Sequence, residues 1–275
     1  MTEEENILKV VEKRGLSASE LERILSFTEN QAPKQVVAFE DYFEKKITIG
    51  VFSDCHIGHL EFDEPLFRNM VKQFKQHRVS RVYQIGDMLE GMSGRDGQIY
   101  ELSELGFSRQ IEKAEEMLLL LKDVDVFGIN GNHDDWYLKK KNIGVDVGLE
   151  LQKRLPNYHH LGTMEANVDI GKDISMKLFH PNDGTAYAES YKLQKLIQSF
   201  TGGEKPNVLL EGHYHKALYL FDRNIHALEC GTICGQTGWM RGKKIPAKKG
   251  YWIINMRMGR GGIGDFNPHF FPGYK

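Results

Sequence analysis

Five groups of polar residues in this chain each follow an apolar run directly. They are Asp54-Cys55-His56, Gly86-Asp87, Gly131-Asn132-His133-Asp134, His180, and Gly212-His213-Tyr214-His215. If they converge, they supply two aspartates, an asparagine and several histidines. Oxygen and imidazole donors with no thiolate suit Mn, Fe, Zn or Ni. The count is enough for two ions sharing a bridging carboxylate, which clamp the attacking and leaving oxygens of a displacement at phosphorus. Each piece alone is weak, and a single histidine after a strand, such as His180, is more often a surface residue than a ligand. No packing argument, however, produces all five in this order.

The elements that must position these groups are legible around them. Apolar runs cover Ile47 to Phe52, Val82 to Ile85, Val124 to Ile129, Ile174 to Phe179 and Val208 to Leu210. Helical spacing covers about Pro65 to His77, Glu101 to Lys122, Val145 to Arg154 and Tyr187 to Phe200. Short buried strands alternating with helices predict an α/β sheet covered on both faces. Ligands in such sheets bind at the carboxyl ends of strands, so the five groups are expected to meet there. Ala217 to Met256 reads as strands with few helices, a second mixed sheet, and the Gly- and Pro-rich tail Gly259 to Lys275 as irregular.

Residues 1–45 differ from the rest. Ile7, Leu8, Val10 and Val11 recur at helical spacing and stop at Gly15, and Ser17-Ala18-Ser19-Glu20 has capping-box spacing before Leu21, Ile24 and Leu25. This helical segment reads either as a partial helix-turn-helix or as a docking or dimerising hairpin. Gln31 to Glu40, with Pro33, is its connector. The division is therefore 1–45 helical segment and 46–275 main domain.

The ordered motifs resemble those of the calcineurin-like metallophosphoesterases: D-x-H, G-D, G-N-H-D or E, a lone His after a strand, and G-H-x-H. The resemblance covers about Ile47 to Ile254. It implies a four-layer α/β/β/α sandwich of two mixed sheets flanked by helices. It implies two divalent ions, Mn first with Fe, Zn or Ni as alternatives, and a hydrolase that attacks the phosphoester with a metal-bridging hydroxide. By resemblance Asp54, His56, Asp87 and His215 hold the first ion, and Asp87 bridges to a second completed by Asn132, His180 and His213. His133 faces the leaving group and Asp134 orients its imidazole, making these two the expected catalytic pair. Pro181 stands where the family commonly has Gly, and Cys55 occupies a variable position.

Composition bounds the partners. Lys plus Arg is 36 against 38 Asp plus Glu, a net charge of −2, so any nucleic-acid contact needs local patches rather than a basic surface. No apolar run of about 18 residues exists for a membrane span. The acidic N-terminus lacks a signal-peptide pattern and the three cysteines are odd in number, so a cytoplasmic protein without disulfides is expected. Asp54-x-His56-Ile57-Gly58 resembles the DNA-repair exonuclease branch. Gly86-Asp87-Met88-Leu89-Glu90-Gly91, with Gly97-Gln98-Ile99-Tyr100-Glu101-Leu102, resembles the exonuclease-bearing small subunit of archaeal replicative polymerases. Arg241, Lys243, Lys244, Lys248 and Lys249 lie near Trp239, Tyr251 and Trp252, and Lys139 to Lys141 form a second basic run. Cations interleaved with aromatics suit single-stranded DNA or DNA ends, although a solvated loop accounts for such a cluster as readily.

Arg95, His59, Lys243 and Lys244 are the expected substrate contacts. The leading reading is a DNA-directed nuclease. Its alternatives are a phosphodiesterase or phosphatase for small substrates such as cyclic nucleotides, and an accessory subunit of a DNA-processing complex. A homodimer stays open.

Overall fold

The computed structural model describes residues 46–139, 144–171, 173–259 and 262–274, together with the backbone of residues 35–37. The paired helices expected before residue 35 lie outside the described residues, as do Lys140 and Lys141. In chain order the elements are β1 (Gln35–Val37), β2 (Lys46–Phe52), α1 (Glu64–Gln76), β3 (Arg81–Ile85), α2 (Phe107–Leu119), β4 (Asp125–Asn130), α3 (Asn132–Lys139), α4 (Val147–Arg154) and β5 (Tyr158–Thr163). There follow β6 (Glu165–Gly171), β7 (Ile174–Phe179), α5 (Tyr191–Ser199), β8 (Val208–Glu211), β9 (Ala217–Asp222), β10 (Ile225–Cys230), α6 (Gly238–Lys243), β11 (Gly250–Gly259) and β12 (Gly262–Pro272).

Two six-stranded mixed sheets result, in the orders β12-β11-β2-β3-β4-β5 and β1-β6-β7-β8-β10-β9. Strands β2 to β5 run parallel, joined by helical crossovers, whereas β11 returns antiparallel beside β2. Alternation along the strands sets the layers. Ile49, Val51, Tyr83 and Ile85 face Val168, Met176, Leu178, Val208 and Leu210 of the other sheet. On the opposite face of the first sheet, Phe52 and Val82 pack against α1 and α2. Leu209 and Ala227, on the far side of the second sheet, pack against Leu193 and Ile197 of α5. Helix, sheet, sheet, helix is the four-layer order expected.

Helix α1 shows how local chemistry supports this layering. Asp63 caps it by accepting from the Leu66 amide at 3.0 Å. Leu66, Phe67, Met70, Val71 and Phe74 then bury one helical stripe. Each such side chain contributes about 1.5–3 kcal/mol by leaving water.

Two sequence expectations are corrected. The tail is not irregular: β12 pairs antiparallel with β11 from Gly262 opposite Gly259 to Pro272 opposite Gly250. Pro268 and Pro272 are tolerated because β12 is an outer strand whose far edge needs no ladder donors. The helix expected from Glu101 begins only at Phe107, after a 3₁₀ turn at Gln98–Glu101. In addition, residues 35–37, read as connector, form an edge strand parallel to β6. All three cysteines are buried and free, and no helix among the described residues is long and apolar enough to cross a membrane.

Candidate metal centre

The carboxyl ends of β2, β3 and β4 in one sheet and of β7 and β8 in the other lead directly into the five motif groups. The loops after β2 and β3 run side by side: the Asp54 amide donates to Gly86 O at 3.1 Å, His56 to Asp87 O at 3.1 Å, and Ile57 to Met88 O at 2.9 Å. Asp54, His56, Asp87, His213 and His215 all have positive φ, between 50° and 79°. Five non-glycine residues in the left-handed region at one place is a local cost of about 1–3 kcal/mol each, the kind of cost retained at working sites. Two glycines permit the close approach. A Cβ on Gly86 (φ 81°) would lie 2.2 Å from His180 Nδ1, and one on Gly131 would lie 2.2 Å from Asp87 Oδ1.

The structure brings all seven expected ligands together. Ligand atoms of Asp54, His56 and His215 lie within 4.8 Å of one another, as do those of Asp87, His180 and His213. His215 Nε2 is 3.0 Å from His56 Nε2 and 3.3 Å from Asp54 Oδ1. Asn132 Oδ1 sits between His180 Nε2, at 3.2 Å, and His213 Nδ1, at 2.9 Å. Asp87 Oδ2 lies 3.2 Å from His180 Nε2 and 3.8 Å from His56 Nε2, between the two clusters.

Three of the imidazoles are anchored from behind. Nδ1–H of His180 donates to Ile85 O at 2.7 Å, and Nε2–H of His213 donates to Asp183 O at 2.7 Å. His56 Nδ1 meets Glu90 Oε2 at 3.0 Å. In each ring the outer nitrogen is engaged by an acceptor, so the inner nitrogen is the one that would bind a cation, on losing any proton it carries. This is the arrangement metal-binding histidines need. With carboxylate and amide oxygens completing the set, the residues fit divalent ions with oxygen and imidazole preference.

Electrostatics follow from crowding. Burial pushes the Asp54 carboxyl up, but His215 and His56 outweigh it and hold it well below the usual range. Asp87 is likewise held low by His180, His133 and His56 against its burial. Burial opposes protonation of His180, yet the Asp87 carboxylate raises it to about 9. For His213, burial and the neighbouring His180 favour the neutral ring.

His133 stands at the N-terminal end of α3. Its amide donates to Asp87 Oδ1 at 2.8 Å, and its Nδ1–H donates to Glu90 O at 2.8 Å. Burial opposes its protonation, but Asp87 and Glu90 raise its pKa. The expected role of Asp134 is corrected. Its carboxylate accepts from the amides of Met88 (3.1 Å), Leu89 (2.9 Å) and Gly131 (2.9 Å), stitching the loop after β3 to that after β4, and it makes no hydrogen bond to the imidazole. The acid beside that ring is Glu90, with Oε2 at 3.4 Å from His133 Nδ1. Glu90 was missed because it lies in a loop, where no periodicity marks an acid that points inward. Its signals are its position three residues after Asp87 and its place in the Gly86–Gly91 motif.

A cleft of about 400 Å³ opens over these residues. His59 and Arg95, both expected substrate contacts, line it; Arg95 is held by an ion pair with Glu101. Lys243 and Lys244, also expected contacts, are exposed at the end of α6 and do not line the cleft. The basic cluster is largely paired: Arg241 with Glu61 (3.6 Å), Lys248 with Glu189 (2.7 Å) and Lys249 with Asp63 (2.6 Å). Tyr251 and Trp252 are buried in β11 and present no stacking surface, which leaves Trp239, 50% exposed, as the accessible aromatic of that group.

No protein-family model and no curated protein matches this sequence. Among solved structures, an archaeal phosphodiesterase is similar at TM-score 0.47 and 16% identity, covering 82% of this chain and all of that one. The phosphoesterase Yfce from E. coli is similar at TM-score 0.44 and 14% identity, covering 80% of this chain and 98% of its own. A dimetal phosphatase from Danio rerio gives 0.42 and 11%, covering 83% and 99%.

Proposed function

We propose that the protein is a two-metal phosphodiesterase and that its substrate is nucleic acid, cut as a nuclease. The observation that carries the chemistry is Asp87, whose single carboxylate lies between His56 and His180 and so belongs to both ligand clusters. Asp54, His56, Asp87 and His215 would hold one ion and Asp87, Asn132, His180 and His213 the other, with Mn²⁺ the first choice for this donor set. Bound ions of this kind polarise phosphoryl oxygens and lower the pKa of water.

The chain's own residues do the rest. Asp87 takes the His133 amide on Oδ1, which fixes the start of α3 against the ligand cluster. With Nδ1–H donated to Glu90 O, His133 has Nε2 left to give a proton to the departing alkoxide. Burial opposes protonation of that ring, while the Asp87 and Glu90 carboxylates favour it. Arg95, on the cleft wall, would reach a non-reacting phosphate oxygen by exchanging its ion pair with Glu101.

Ion pairing of the basic cluster favours a second reading, a phosphodiesterase for small esters, since it leaves less cationic surface for a long strand. The deciding experiment incubates Mn²⁺-loaded protein with single- and double-stranded DNA and with bis(p-nitrophenyl) phosphate, His133→Ala serving as control. DNA cleavage lost in the variant supports the nuclease. Hydrolysis of the small ester alone moves the assignment to small phosphodiesters, and no hydrolysis of either overturns the phosphodiesterase.

A further inference from the structure

The mouth of the cleft is built around α6. Trp239 lines the cleft while remaining 50% exposed, and Met240 and Ile245 continue that wall. The helix is short but clamped. Thr237 Oγ1 accepts from the Met240 amide at 3.2 Å, and Arg241 donates to Gln236 O at 2.6 Å. Gln236 Nε2 donates to Ile245 O at 2.7 Å, and Met240 is buried. The first residue of α6 abuts the 3₁₀ turn, because a Cβ on Gly238 would lie 3.7 Å from Glu101 Oε1. Glu101 of that turn and Trp239 of α6 both line the cleft, so the two elements form one stretch of its wall. Beyond Trp239 the same helix carries exposed Arg241 and Lys243, followed by Lys244.

We infer that this wall is a stacking platform for single-stranded nucleic acid: Trp239 receives the base beside the phosphate held over the ligand cluster. The inference rests on the phosphodiesterase reading and names its substrate class. An indole carried on a helix whose neighbouring Met240 is buried offers a planar face with only two side-chain torsions to order. Such faces bind any base, because every base has a π-surface. The volume suits one nucleotide unit rather than a duplex. Lys243 and Lys244, exposed at the end of the same helix, then offer cations to neighbouring phosphates, a role for the two lysines outside the cleft.

The test compares a fluorescein-labelled oligothymidylate with an abasic strand of equal length, which has the same phosphates and no bases. Binding is read by anisotropy with Mn²⁺-loaded His133→Ala protein, so that the strand is not consumed. The base-bearing strand should bind on the order of 10-fold tighter. Adding Trp239→Ala should remove most of that ratio, and Trp239→Phe should keep much of it. Equal affinity for the two strands, no binding of either, or an unchanged ratio in Trp239→Ala overturns the platform. Hydrolysis of bis(p-nitrophenyl) phosphate by the unsubstituted protein is measured separately. If that ester is hydrolysed while the two strands behave alike, only the platform falls. If no ester is hydrolysed, the phosphodiesterase reading falls, and the affinity ratio still decides the platform.

Discussion

Glu90 Oε2 lies 3.0 Å from Nδ1 of His56 in a buried contact between the loops after β3 and β2. Burial opposes ionisation of Glu90, but His133 and His56 hold it well below the usual carboxylate range, so it meets both rings as an anion. Gln98 Nε2 donates to its other oxygen at 3.1 Å, fixing the carboxylate plane. Glu90→Gln keeps the shape and removes the charge. Metal affinity and kcat on bis(p-nitrophenyl) phosphate should each fall by roughly 10- to 100-fold, the usual cost of losing an acid behind a ligating histidine. Unchanged values in both would show that Glu90 merely fills space.

Asp87 serves both clusters, so its substitution should differ in kind from that of any other ligand. Asp87→Asn is expected to abolish turnover and to lower the metal content measured by atomic absorption. His215→Ala touches one cluster and should leave more metal bound. Chelator should silence the native protein, and Mn²⁺ should restore it. An active Asp87→Asn protein would remove the shared carboxylate from the mechanism.

His133 lies within 4.8 Å of the ligand atoms of His56 and Asp87, and if it serves as acid rather than ligand, metal content and rate should separate there. His133→Ala should keep its metal and lose about 10²- to 10⁴-fold in kcat, the usual contribution of a positioned acid. The loss should shrink for esters with good leaving groups, which need no proton. Equal losses for good and poor leaving groups would count against proton donation.

Asp134 holds three amides rather than the imidazole, so its removal should be felt in stability. Asp134→Ala leaves buried N–H groups unpaired and should cost about 3 kcal/mol or more. Thermal denaturation of the metal-loaded protein reads this directly. A normal melting temperature with lost activity would return Asp134 to a catalytic role.

Glu229 gives a pH dependence away from the ligands. Both of its carboxylate oxygens are buried without a hydrogen-bond partner, and burial raises its pKa from 4.5 to about 7. The folded form thus holds a proton that the unfolded chain releases. Its stabilising contribution is complete below pH 4.5 and is lost as pH rises through 7. Stability should therefore fall between about pH 4.5 and 7 and level off above that, by up to about 3 kcal/mol from this group. Glu229→Gln mimics the protonated acid and should flatten that slope in urea denaturation curves. An identical slope in the variant would assign the loss to other groups.

The residues that meet at the centre were nameable from the sequence, because ligand chemistry is local. Asp54, His56, Asp87, Asn132, His180, His213 and His215 each stand just past an apolar run, and a parallel strand buried on both faces leaves such a run in the chain. The layering followed from the same runs. β12 escaped notice because an edge strand carries glycines and prolines that a central strand cannot, and only its pairing with β11 shows what they permit. Side-chain direction after a turn was also beyond spacing. Asp134, next to His133 in the chain, turns to the amides of Met88, Leu89 and Gly131, whereas Glu90 from another loop reaches the ring. Tyr251 and Trp252 read like Trp239 in composition, yet β11 buries both and α6 exposes the third. The sequence alone determined which oxygen and imidazole donors are available. The tertiary structure decided which acid faces which imidazole and which aromatic faces solvent, because those contacts join loops and sheets far apart in the chain.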